Sequence, residues 1–256
     1  MKVTDKVLAE MCEACYGDAP VSYEDVRAVE RVVDPGESLA CDVYRVDDAT
    51  AVVAFRGTCN AQNAVADADT RLSATPYGGR AHTGFLRSWT ALRDGVEEAV
   101  GDSSTLYLTG HSLGGALATL ATLHFASLQA DQEPEAPVVG AEPARAPRRT
   151  CRCVTFGAPR VLGPVSSRKF DRAMERGGHT HTRFEAAADL VPRLPTRWRY
   201  RHVGKRVAVL PLSARSLLAA VRSCLGDPRS AAETAAETLR RGHCMTAYLR
   251  AVEALS

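Results

Sequence analysis

The stretch Thr105 to Ala118, TLYLTGHSLGGALA, constrains this chain more than any other. Its first residues are β-branched or apolar and run straight into Gly110-His111-Ser112-Leu113-Gly114. The residues after it, Gly115 to Ala121, are mostly good helix formers. A strand, a G-x-S-x-G pentapeptide and a helix in that order make a sharp elbow that lifts a serine hydroxyl clear of a sheet. So tight a turn strains the serine backbone and brings strand and helix together, so side chains at Gly110 and Gly114 would collide. The helix N-terminus beneath the hydroxyl favours developing negative charge. Ser112 is therefore read as a nucleophile.

The rest of the chain supplies a setting for such an elbow. A helix with apolar positions at Val7, Leu8, Met11, Cys12 and Cys15 comes first. Val29 to Val33 and Leu39 to Val46, split by Asp34-Pro35-Gly36, predict an antiparallel pair. Thr50 to Phe55 is a nearly continuous apolar run, as a buried central strand should be. Phe85, Trp89, Leu92, Val96 and Val100 mark one buried face of a helix over Phe85 to Val100. Downstream, Cys151 to Phe156 and Thr180 to Ala186 read as strands and Ser166 to Arg176 as a helix. Tyr200 to Leu210 reads as a hairpin around Gly204-Lys205, and Ser213 to Leu225, Ser230 to Arg241 and Met245 to Leu255 read as helices. Strands alternating with helices predict an α/β fold with a central, mostly parallel sheet flanked by helices. At 256 residues one such domain accounts for the whole chain. The proline- and alanine-rich segment 130–150 is expected to be an exposed insertion.

Composition excludes several classes. A formal net charge of +2 does not suit nucleic acid as a partner. The start of the chain lacks the apolar core of a secretory leader, and no apolar run reaches membrane-spanning length. The chain as given is thus expected to be cytoplasmic or otherwise intracellular, with secretion following only if a leader was removed. Of the eight cysteines, Cys12 and Cys15 form a C-x-x-C, but no second pair follows at zinc spacing. They are read as buried thiols, and no metal or cofactor is expected.

A serine hydroxyl needs a base, and the base needs an orienting acid. After an elbow of this kind the order is Ser, then Asp or Glu, then His. Asp189 follows a strand directly, at the carboxyl end where sites collect in open α/β sheets, and is the candidate acid. His243 sits in a loop after a glycine, before the last helix, where an imidazole can reach over the serine. It is the candidate base, with His202 as runner-up; His124, on the elbow helix, and His179 and His181, at the wrong end of a strand, are not. The backbone N–H of Leu113, at the elbow helix start, is one candidate oxyanion donor, and a second should come from a loop after another central strand. His111 is expected to pack against neighbouring loops.

Six segments, in order, carry a resemblance: Phe55-Arg56-Gly57-Thr58, His82-Thr83-Gly84-Phe85, Gly110 to Ala116, Val154 to Val161, Asp189 to Pro195 and Tyr200 to Gly204. Together they resemble the class 3 lipases, the fungal triacylglycerol lipase-like branch of the α/β-hydrolases, over roughly residues 50 to 250. Leu162 and Ala188 depart from that pattern without removing a catalytic group. The resemblance implies an α/β-hydrolase fold, Ser112, Asp189 and His243 as the catalytic set, Thr58 as the second oxyanion donor and a structural role for His202. It implies ester hydrolysis, on acylglycerols or related lipids, with phospholipids, galactolipids or non-lipid esters as alternative substrates and acyl transfer as an alternative reaction. From another class comes a lipase-like binding or signalling module whose chemistry is unused. The implied lid, Ala61 to Ala68, has only Val65 as a larger apolar residue, so little interfacial activation is expected. The implied partner is a lipid or ester substrate, met in transient contact with a membrane or lipid-droplet surface. Arg193, Arg197, Arg199, Arg201, Lys205 and Arg206 form a basic cluster without an acid among them, a candidate for anionic headgroups.

Overall fold

The computed structural model describes residues 1–36, 38–58, 71–130, 149–187, 189–209 and 243–255. The expected lid, most of the 130–150 insertion and the two helices expected between residues 213 and 241 lie outside the described residues.

The apolar runs form a seven-stranded sheet: β1 (Ala28–Val33), β2 (Ala40–Arg45), β3 (Thr50–Phe55), β6 (Thr105–His111), β7 (Thr150–Phe156), β8 (Thr180–Ala186) and β9 (Lys205–Val209). They lie in that spatial order. β1, β2 and β3 pair antiparallel, and β3, β6, β7, β8 and β9 pair parallel. A small antiparallel pair, β4 (Leu72–Ala74) and β5 (Arg80–His82), stands apart.

Helices cover both faces, as a largely parallel sheet requires. α2 (Thr83–Val100), α3 (Leu113–Ala130) and α4 (Pro164–Gly177) bury one face, with Trp89, Leu92, Leu117, Leu120 and Phe170 in its core. On the other face, α1 (Asp5–Ala14) packs beside α5 (Met245–Glu253) over Phe156, Phe184 and Val209. Cys12 and Cys15 are buried there as free thiols, Cys12 beside the Thr109 hydroxyl (3.1 Å) and Cys15 donating to the Ala54 carbonyl (3.1 Å). Burial pushes Cys12 above its usual range and Cys15 up to about 12, which keeps both protonated. Among the described residues no helix is long and apolar enough to cross a membrane.

The expected hairpin over Tyr200 to Leu210 is not formed. Gly204, at φ +73°, turns the chain into β9, which pairs parallel with β8 through Thr182↔Lys205 to Ala186↔Val209. The residues before the glycine pair elsewhere: Arg201 bridges to Leu162. A glycine turn between two short basic stretches looks the same in sequence whichever partner each stretch finds.

Candidate active site

The elbow is built as its glycines demand. A Cβ on Gly110 would lie 2.2 Å from the carbonyl carbon of Gly114. One on Gly114 would lie 2.0 Å from the Phe55 carbonyl oxygen, so the start of α3 is pressed against the end of β3. Ser112 sits between them at φ +56°, and it is the one non-glycine residue at positive φ among the described residues. Strain of this kind costs on the order of 1–3 kcal/mol and persists only where surroundings over-determine it. Here the Ser112 N–H donates to the Phe156 carbonyl (3.0 Å) and its own carbonyl accepts from Gly115 (3.0 Å).

Asp189 ends the turn that follows β8 and is 1% exposed. Its carboxylate has three donors: the Val191 N–H to Oδ1 (2.9 Å), and the Tyr248 hydroxyl (2.6 Å) and His243 Nδ1 (2.8 Å) to Oδ2. A carboxylate only accepts, so His243 carries its proton on Nδ1 and presents a bare lone pair at Nε2. Nε2 and the Ser112 hydroxyl are both buried, and neither has a hydrogen-bond partner among the described residues. The Thr58 hydroxyl is a third such atom. Thr58 follows Gly57, where a Cβ would lie 2.6 Å from the carbonyl oxygen of His111. Leu113 is the first residue of α3, so its N–H is among the donors a helix start leaves unpaired.

The sequence-derived candidates thus converge on the carboxyl edge of β3, β6 and β8. The rejected histidines lie elsewhere. His202 Nε2 donates to the Pro192 carbonyl (2.6 Å), and burial, with Arg183 nearby, holds its pKa down to about 4. His179 accepts from the Cys151 N–H (3.0 Å) at the far edge of the sheet, and His124 bonds Tyr77 (2.6 Å).

Three participants escaped the sequence reading. Tyr248, one turn into α5, accepts from the Ala186 N–H (3.0 Å) while donating to Asp189. His111 does more than pack against loops: its Nε2 meets the His243 carbonyl oxygen at 2.6 Å, and its Nδ1 meets the Tyr16 hydroxyl at 2.7 Å. Burial, reinforced by His243, holds the His111 pKa down to about 3, so the ring is neutral. A carbonyl cannot donate, so Nε2 carries the proton and Nδ1 accepts from Tyr16. The hydrogen bonds run one way, Tyr16 to His111 to the backbone of His243. The signals were present, an aromatic just past α1 and one on the buried stripe of α5, but nothing local says what either touches.

The model of the family described as "Lipase (class 3)" matches residues 52–198. The chain belongs to the class 3 lipase family. Among curated relatives, a 105-residue stretch is 35% identical to Protein EDS1 of Arabidopsis thaliana, covering 41% of this chain and 15% of that protein. A 187-residue stretch is 31% identical to Phospholipase A1-II 6 of Oryza sativa subsp. japonica, covering 62% of this chain and 43% of the relative. The chain therefore spans less than half the length of these curated relatives. Among solved structures, a triacylglycerol lipase whose catalytic centre is described as a serine protease triad superposes with a TM-score of 0.56. It is 25% identical, over 73% of this chain and 67% of that one. The sheet of this class 3 lipase-family chain, with its flanking helices, is that of an α/β-hydrolase.

Proposed function

We propose that this chain is a serine ester hydrolase acting on acylglycerols or related lipids through an acyl-enzyme on Ser112. The observation that carries this reading is the bond between Asp189 and His243 Nδ1 (2.8 Å), which leaves a bare imidazole nitrogen at the edge where the elbow presents an unpaired serine hydroxyl. Phospholipids and triacylglycerols are both in scope, given the names of the relatives.

In this mechanism the Ser112 hydroxyl attacks the ester carbonyl carbon and its proton passes to His243 Nε2. Asp189 stays ionised, fixes the tautomer and stabilises the imidazolium. The tetrahedral oxyanion takes hydrogen bonds from the Leu113 N–H and from Thr58, which offers its N–H and its hydroxyl. Collapse expels the alcohol, protonated by His243. A water deprotonated by His243 then attacks the acyl carbonyl and releases the acid, restoring Ser112.

A fluorophosphonate probe is expected to label the protein and to lose its target in Ser112→Ala. Hydrolysis by that variant should fall by on the order of 10⁶. Folded wild-type protein that takes no label would overturn the hydrolase reading and leave the binding-module alternative. A panel of acylglycerols, phospholipids and short soluble esters then ranks the substrates.

A further inference from the structure

The return from Asp189 to β9 carries a surface the chemistry above does not use. Trp198 is 88% exposed, whereas the only other tryptophan, Trp89, is 1% exposed. Leu190, beside the candidate acid, is 41% exposed on the same return. A tryptophan held in water keeps a large apolar body unburied. Arg197 and Arg199 flank it, both exposed and both without an ion pair among the described residues. Glu185, whose carboxylate serves the basic residues of this region, is committed to Arg183 (3.1 Å) and Arg206 (2.6 Å). Cationic crowding is felt underneath: Arg160 is held below the usual guanidinium range, by burial first, with Arg197, Arg183 and Arg201 pushing the same way.

The tip is also pinned on both sides. Before it, the Arg160 N–H donates to the Leu194 carbonyl (2.7 Å), and its guanidinium holds the carbonyls of Arg193 and Pro195. After it, Tyr200 donates to the Arg71 carbonyl (3.2 Å) and the Arg201 N–H to the Leu162 carbonyl (2.7 Å). Between these ties Thr196 to Arg199 are exposed, with Pro195 and Tyr200 buried on either side, so little order remains to be gained on contact with a partner.

We propose that this tip is a docking surface for an acidic phospholipid surface, with Trp198 seated among the headgroups and Arg197 and Arg199 paired with lipid phosphates. An aromatic ring with an apolar body and a polar edge suits the headgroup level, and uncompensated arginines suit a negative surface potential. A chain of formal net charge +2 does not suit a polyanion such as nucleic acid as the occupant. The proposal rests on the hydrolase reading only for why a lipid surface should be met. Adsorption is therefore measured on Ser112→Ala protein, where catalysis plays no part.

The tryptophan content supplies the probe. Trp198 fluorescence is recorded against neutral phosphatidylcholine vesicles, vesicles also containing phosphatidylserine, and both with brominated acyl chains. The expected result is a blue shift and bromine quenching on acidic vesicles alone, weakened by salt. Trp198→Ala should abolish the signal, leaving only buried Trp89. At about fivefold per arginine, R197E/R199E should lower partitioning by about 25-fold or more. Both variants, in a chain that keeps Ser112, should hydrolyse a soluble short-chain ester as the unmodified chain does. Equal response to neutral vesicles, bound protein with Trp198 unquenched, unchanged partitioning of R197E/R199E, or a response to DNA without one to vesicles would each overturn the proposal.

Discussion

His111 shows how a residue beside the candidate nucleophile can matter without touching substrate. Its ring fixes the backbone of His243, and Tyr16 fixes the ring. In Tyr16→Phe the Nδ1 acceptor loses its donor and the imidazole is held by one bond instead of two. A neutral hydrogen bond contributes about 1 kcal/mol net, so kcat on a soluble ester should fall about fivefold with KM unchanged. Steady-state kinetics well below the unfolding temperature checks this, and an unaltered kcat would show the contact to be packing alone. The candidate nucleophile, acid and base could be picked out because strained glycines, a strand end and a required chain order each leave a mark in sequence. Tyr16 was not, because 95 residues separate it from its partner and its own surroundings are those of any helix end.

At the scale of elements, α5 links the candidate base, His243, to the sheet. Its buried stripe is Met245, Tyr248 and Val252, the spacing of one helical face. Tyr248 closes a small circuit: the N–H of Ala186 at the end of β8, the tyrosine oxygen and the carboxylate of Asp189. Tyr248→Phe leaves the Ala186 N–H buried without its acceptor and takes one of three donors from Asp189. Stability should fall by about 1–3 kcal/mol, read from denaturant melts, and phosphonylation of Ser112 should slow. Equal melts would mean that water replaces the hydroxyl there. The sheet itself was legible wherever one face or both are apolar, as in β3, β6 and β7. β9 was misread because its pattern, with Lys205, Arg206 and Ala208 exposed, Val207 half-buried and only Val209 buried, does not name its neighbour. Which strand a short edge segment joins depends on where the preceding return is tied, here to Leu162 and Arg71, and that tie is tertiary.

For the whole molecule, buried neutral histidines set the response to acid. Burial takes His111 and His181 from 6.5 to about 3, and His202 to about 4; His243 adds to the shift at His111, and Arg183 at the other two. The unfolded chain takes up protons at these sites below about pH 6.5, whereas the folded chain does so only near 4 to 3. The unfolded state binds more protons in that window, so stability is full above about pH 6.5 and is lost as pH falls. Melting temperatures should begin to drop near pH 6, before carboxylates titrate, and His181→Leu should flatten the fall. A flat profile from pH 7 to 4.5 would contradict this account. The pairing of α1 with α5 bears on time as well as on acid. Thr246 donates to Glu13 at 2.6 Å across 233 positions of sequence, and Lys6 reaches Glu253 at 3.5 Å. As the chain is synthesised, Ser112 and Asp189 emerge long before His243, and α1 waits for α5 throughout. On the proposed reading the nucleophile is therefore born without its base, and a nascent chain carries a silent serine until α5 has been made and docked.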